Sequence, residues 1–343
     1  TSCTRMRTCF RSNLYSSQLI SRCNFYNYQP KVVVSKMSKV DNQYSAKDEV
    51  ASVFIKRTFL QRTFITLKKA PFTAWLGMTI IVFYLFVALF APLIAPYGEA
   101  EIFKTPYAPW DEVHIFGTDR LGRDILSRLI YGARNTMGIA ILTTLLAFLI
   151  GGGLGLLSAI LRGWVDQLLA RFVDVLMAIP SLIFALMLLS IFGSTALNLI
   201  IIIAVLDSTR VFRLSRAVGM NVAVMEYVEA AKLRGEKIGW IMGREILPNI
   251  LPPLVAEFGL RFCYVFLMIA SLSFLGVGIQ PPTADWGSMV RETGELIQYA
   301  QYDITAALTP ILPAAAIGIL TIGVNFVVDW FLYLTSGLKD EQK

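Results

Sequence analysis

The sequence predicts an all-α, polytopic membrane protein with six transmembrane helices and a charged helical loop held outside the bilayer. Three observations predict it. Of 343 residues, 55% are hydrophobic and 16% charged, with a mean hydropathy of +0.60, which is too apolar for an ordinary soluble domain. Charge-free runs recur at residues 70–98, 135–161, 262–284 and 304–328, each long enough to supply the ~20 residues that cross a ~30 Å hydrocarbon core. Between apolar segments lies a hydrophilic island, residues 225–248, read MEYVEAAKLRGEKIGWIMGREILP.

The N-terminal stretch, residues 1–45, reads as a disordered or artefactual extension. It is rich in Ser, Arg and Cys, and no acid precedes Asp41. Such a composition is similar to an organellar transit peptide. The chain opens on Thr1, however, and Met37 begins a stretch that reads like a bacterial start, so an upstream artefact or fragment is the favoured expectation. Residues 46–69 read as a basic amphipathic segment, with Val53, Phe54, Phe59, Leu60, Phe64 and Leu67 at helical spacing.

The first span, residues 70–98, ends at Pro92, Pro96 and Gly98. A polar segment, 99–131, follows and contains GTDRLGRD, Gly117 to Asp124. Gly151 and Gly155 in the second span form a G-x-x-x-G pair that lets helix backbones approach closely. A phosphate loop is the alternative, but no Lys-Ser or Lys-Thr follows and the site lies inside a span, so packing is the favoured reading. The apolar run 175–206 is too long for one span and is broken by Gly193, Ser194, Thr195 and Asn198. It reads as a third span from about 167 to 192 and a fourth from about 198 to 217, joined by a hairpin. A fifth span follows from about 250 to 274 and a sixth from about 306 to 334, so the permeation core covers 132–335, with a loop at 221–249 and a tail at 336–343.

Lys and Arg concentrate on the cytoplasmic side of membrane proteins. Lys56, Arg57, Arg62, Lys68 and Lys69 therefore place the N-terminus inside, and Arg162, the island with its flank, and Lys339 and Lys343 then fall inside as well. Segments 97–128 and 276–303, assigned outside, carry more acids than bases. The net charge of +7 comes from the inside segments and the N-terminal region and calls for an anionic leaflet, not nucleic acid.

Catalytic signatures are missing. His114 is the only histidine, which removes paired-histidine zinc motifs, and no Walker A sequence occurs. The four cysteines, Cys3, Cys9, Cys23 and Cys263, show neither metal-ligand spacing nor a disulfide framework. Any ATPase is a separate polypeptide. Charges lie near or within spans at Asp166, Asp174, Asp207, Arg210, Arg213, Glu257, Arg261 and Asp329. Spacing predicts two local ion pairs, Glu257 with Arg261 and Asp207 with Arg210. These carboxylates also suggest an alternative, a secondary transporter driven by an ion gradient.

The island has a shape of its own. Residues 225–234 favour a helix that Gly235 ends in a left-handed cap, and residues 237–246 form a second helix that Pro248 stops. Ala230 and Ala231 lack bulk and admit a partner surface, while Glu229, Lys232 and Arg234 orient it by charge. A docking knob is expected.

This island resembles the EAA loop of importer-type ABC permeases through Glu229, Ala230, Ala231, Gly235, Ile246, Leu247 and Pro248. GTDRLGRD, ILPNILPPL from Ile246 to Leu254, SFLGVGIQPP from Ser273 to Pro282, and Asp285, Trp286 and Gly287 extend the resemblance to the dipeptide, oligopeptide and nickel permeases, C-type subunit, over about residues 70–335. Glu245 departs from the general EAA pattern, in which many permeases carry an apolar residue. The resemblance implies a type I importer fold in a bacterial inner membrane, with both termini cytoplasmic. It also implies a heterodimer with a second permease subunit, two ABC ATPase subunits that bind ATP and Mg, and an extracytoplasmic solute-binding protein. The chain itself would need no cofactor or metal. Gly117, Asp119, Arg123, Asp124, Gln280 and Trp286 are the expected contacts of the binding protein.

Overall fold

Long apolar helices build the membrane body, as the charge-free runs require. The computed structural model describes residues 70–335. The expectations for residues 1–69 and for the tail 336–343 lie outside the described residues. Among the described residues, regular structure is helical apart from one isolated antiparallel bridge between Thr118 and Asp124.

Helix α1 (Phe72–Leu89) is followed by a short α2 (Ala91–Ile94), with Pro92 in its first turn. Helix α3 (Ile125–Leu161) begins where Asp124 accepts from the Ser127 amide, and runs 37 residues, about 55 Å. Then come α4 (Gly163–Ala178), α5 (Ser181–Phe192) and α6 (Ala196–Val222). The island supplies α7 (Glu226–Leu233), α8 (Ile238–Trp240) and a π-helical turn (Ile241–Ile246), which runs directly into α9 (Leu247–Phe274). The described residues end with α10 (Trp286–Thr293), a 3-10 turn (Gly294–Tyr299), α11 (Ile304–Leu308) and α12 (Ile311–Thr335).

Among the described residues, four helical stretches, not the expected six, are apolar and long enough to cross a membrane: Phe72–Leu89, Ile125–Leu161, Ile238–Phe274 and Ile304–Leu334. The α4–α5 pair makes a fifth if it is one span. The expected third span is not straight, because α4 and α5 meet at 88°. Pro180 explains the break: it lacks an amide hydrogen, and Ile179 before it is extended at φ −94, ψ 133. Helix α6 carries Asp207, Arg210, Arg213 and Arg216 along its length and so falls outside the purely apolar set. The hairpin before it matches expectation. Thr195 accepts from the Asn198 amide, and Asn198 Nδ2 donates to the carbonyls of Phe192 and Gly193 at 2.8 and 3.0 Å.

Close packing of α3 on α6 follows from the G-x-x-x-G pair. A Cβ at Gly151 would lie 2.3 Å from the Ser208 carbonyl oxygen, and one at Gly155 2.7 Å from that of Phe212. The repeat is four residues on both helices, so one ridge seats on the other without side chains between them. Around this contact Met137, Leu189, Ile203, Phe266 and Leu320 fill a core shared by α3, α5, α6, α9 and α12. Outward faces expose large apolar residues, among them Phe83, Leu149, Ile191 and Ile322, as a hydrocarbon solvent permits.

Candidate functional site: a knob and a charged platform at opposite ends

The knob is built on α7. Glu226 and Glu229 occupy its first turn, where the helix dipole favours acids. Val228 and Ala231, both fully buried, face Ile241, Ile246, Ile250 and Leu156. The opposite face presents Tyr227, Glu229, Ala230 and Leu233 to the outside, Leu233 at 89% exposure. Gly235 closes the helix at φ +77, with its amide donating to Lys232 O at 2.9 Å and the Glu236 amide to Ala231 O at 3.2 Å. That pair of bonds is the Schellman arrangement, which a left-handed glycine makes possible. Arg234 turns back within the knob, 3.9 Å from Glu245 and 4.0 Å from Glu236, whereas no ion pair engages Glu229 or Lys232 among the described residues.

The expected stop at Pro248 is corrected. The chain widens into the π turn, where the Leu247 amide reaches back to Met242 O, and continues straight into α9. Proline then sits in the first turn of the new α-helical register, where a missing amide hydrogen is tolerated. Asn249 Nδ2 adds a bond of 2.6 Å to the Glu245 carbonyl. The knob is therefore joined to a long membrane helix without a break in the helical chain. Of the seven expected coupling residues, Glu229, Ala230, Gly235 and Pro248 are exposed, Leu247 is partly buried, and Ala231 and Ile246 form the inner packing face.

A second constellation gathers at the other end of α3. Asp124 accepts from Ser127 N and Oγ at 2.8 and 2.7 Å and lies 3.0 Å from His114 Nδ1. Asp119 accepts from Arg123 Nε at 2.7 Å; Arg123 Nη2 and Arg128 Nη2 lie 2.9 and 3.3 Å from Glu292 Oε2 on α10. Two guanidiniums thus share two carboxylates. Glu99 accepts from Asn135 Nδ2 at 2.7 Å and from the Ala284 amide, tying the loop after α2 to the loop before α10. Asp285 caps α10, accepting from Ser288 N and Thr136 Oγ1, both at 2.9 Å. Its burial lifts the carboxyl above the ordinary aspartate range despite these bonds. Trp286 donates to the Leu129 carbonyl at 2.9 Å and meets Tyr84 and Phe266 edge-on.

Among the expected binding-protein contacts, Gly117, Asp119, Arg123, Asp124 and Trp286 are buried, so they hold this platform together. Gln280 alone is exposed, with its amide donating to Gly278 O at 3.0 Å. Leu156 packs in the knob and Asp124 caps the far end of the same helix, 32 residues or about 48 Å away, so the two constellations lie further apart than a hydrocarbon core is thick.

Between them the structure revises the ion pairs. Glu257 and Arg261 meet at 2.7 Å as expected. Asp207 does not pair with Arg210; it faces Arg261 Nη1 at 3.5 Å, while Arg210 lies over the Tyr264 ring, 4.5 Å from its centre. Near the knob, Arg216 on α6 grips Asp166 on α4, with Nη2 donating at 2.7 Å. Sequence reasoning missed Leu233, although the inward spacing of Val228 and Ala231 leaves it outside on the helical wheel. It also missed Glu292, which carries no local signal because its partners lie 164 and 169 residues earlier.

A helical body with apolar outward faces, an exposed charged knob at one end and a cross-tied platform at the other defines an integral membrane protein. The chain belongs to the family of binding-protein-dependent transport system inner membrane components, which residues 151–336 match. Residues 58–109 match the N-terminal transmembrane domain of oligopeptide transport permease C. Similar proteins include the dipeptide transport system permease protein DppC of Escherichia coli K12, 35% identical over 274 residues, which are 78% of this chain and 87% of that protein. The dipeptide transport system permease protein DppC of Alkalihalophilus pseudofirmus is 34% identical over 78% of this chain and 84% of its own. The glutathione transport system permease protein GsiD of Pectobacterium atrosepticum is 32% identical over 74% and 81%. The chain is a permease subunit and not an enzyme.

Proposed function

We propose that this chain forms, with a second permease subunit, the translocation path of an ATP-driven, binding-protein-dependent importer of di- or oligopeptides or related small solutes. The names of its relatives supply the substrate class. Two ABC ATPases bind ATP and Mg and seat the knob, and residues 225–248 face the cytosol with both termini. An extracytoplasmic solute-binding protein rests on the opposite platform, touching Gln280 and the surface that Gly117, Asp119, Arg123, Asp124 and Trp286 shape from beneath. In this reading α6 and the α4–α5 pair are spans, giving six.

The knob is the observation that carries the reading. Its inner face is locked by Val228, Ala231 and Ile246, and its outer face offers Glu229, Ala230 and Leu233, so force applied there passes through the π turn into α9. ATP drives the cycle because the ATPases bind it more tightly in the state that clamps the knob. Purification of the intact complex in mild detergent, with mass spectrometry of its components, tests the assembly. A second permease and two ATPase subunits are expected; recovery of this chain without ATPases contradicts it. Uptake into vesicles holding ATP but no ion gradient separates this mechanism from a gradient-driven one.

A further inference from the structure

The break between α4 and α5 opens a cavity of about 270 Å3, lined by Met177, Pro180, Ser181, Thr209 and Arg210. Around it the charges are unevenly matched. Glu257 and Asp207 are both drawn to Arg261, at 2.7 and 3.5 Å. Arg210 lies on the π face of Tyr264 and feels the Asp207 carboxylate only at longer range, with no ion pair within 4 Å and no hydrogen bond among the described residues. Arg213, one turn on, donates to the Met177 sulfur at 3.6 Å and makes no ion pair among the described residues. The Tyr264 hydroxyl is itself held by Ser181 Oγ, which fixes the ring beneath the guanidinium.

A guanidinium fixed on an aromatic face, with its fork open to a cavity in an apolar setting, is suited to a planar anion. We propose that Arg210 binds the carboxylate of the transported solute, with Ser181 and Thr209 flanking it, as a way station within the path. This rests on the peptide-importer reading above. The guanidinium is already held over the Tyr264 ring beside the cavity, which favours a solute entering the cavity over a lipid headgroup reached by an extended side chain.

Calorimetric titration of the complete complex, in phosphatidylcholine nanodiscs without nucleotide or binding protein, tests this directly. Dialanine is expected to bind at least tenfold more tightly than dialaninamide, which lacks the carboxylate. Arg210→Gln should abolish that difference, Arg210→Lys should keep part of it, and Ser181→Asp, which puts a competing carboxylate in the cavity, should weaken dialanine tenfold or more. If Arg210→Gln prevents assembly, the lysine and Ser181 variants decide. Equal binding of the two probes, no binding of dialanine, or an unchanged preference in the variants overturns the proposal. So does loss of a bound anionic lipid, rather than of dialanine, when Arg210→Gln is prepared in nanodiscs containing phosphatidylglycerol. Dialanine binding without ATP-dependent uptake would instead count against the importer reading alone.

Discussion

Replacing Gly151 by alanine drives a methyl group into the α3–α6 contact. The new Cβ would lie 2.3 Å from the Ser208 carbonyl oxygen and 2.9 Å from Val211 Cβ, where a carbon and an oxygen settle at about 3.3–3.6 Å. The backbone cannot yield as a flexible side chain would, so the helices must part by about 1 Å. Overpacking of this kind costs about 1–3 kcal/mol. Alanine also favours the helix by up to about 1 kcal/mol over glycine, which partly conceals the clash. Gly153→Ala removes that ambiguity, because Gly153 has nothing within 4 Å of the same construction and shares only the propensity gain. The difference between the two variants isolates the clash. Denaturant titration of the purified complex should place Gly151→Ala about 1–3 kcal/mol below Gly153→Ala. Equal stabilities would refute the close approach of the two helices.

Two further outcomes follow from the platform. Glu292→Gln leaves Asp119 as the one carboxylate within 4 Å of the buried guanidiniums of Arg123 and Arg128 among the described residues, and should cost about 3 kcal/mol in the same titration, with most of it regained when Arg128→Met and Glu292→Leu are combined. Asp285 has a native pKa raised by burial, so its folded form holds a proton more readily than its unfolded form. Stability should therefore fall as pH rises from the ordinary aspartate pKa of about 3.9 through the raised native value, then level off. Asp285→Asn should flatten that fall in thermal melts taken across the range, and an unchanged profile would exclude Asp285 as its source.

Much of the fold was legible because its determinants are local. Charge-free runs located the helices, Gly193 to Asn198 marked a hairpin, Gly151 and Gly155 marked a close crossing, and Gly235 marked a left-handed cap. Pro180 and Pro248 were harder, since proline disfavours a straight helix without saying how the chain responds. At Pro180 the chain bends by 88°, whereas at Pro248 it widens into a π turn and proceeds. Contacts between distant segments had no sequence signal. Spacing rightly paired Glu257 with Arg261, but the same rule misassigned Asp207, whose partner lies on another helix. The platform residues were conspicuous through their glycines and charges, yet only packing reveals that Asp119, Arg123 and Trp286 point inward.

Coupling through the knob is tested most directly by reconstituting the complex with Glu229→Arg or Leu233→Glu and measuring ATP hydrolysis and dialanine uptake in the same proteoliposomes. Both side chains are exposed, so the fold should survive. Uptake is predicted to fall at least tenfold per ATP hydrolysed. Wild-type uptake per ATP in both variants would contradict a knob that transmits the ATPase stroke.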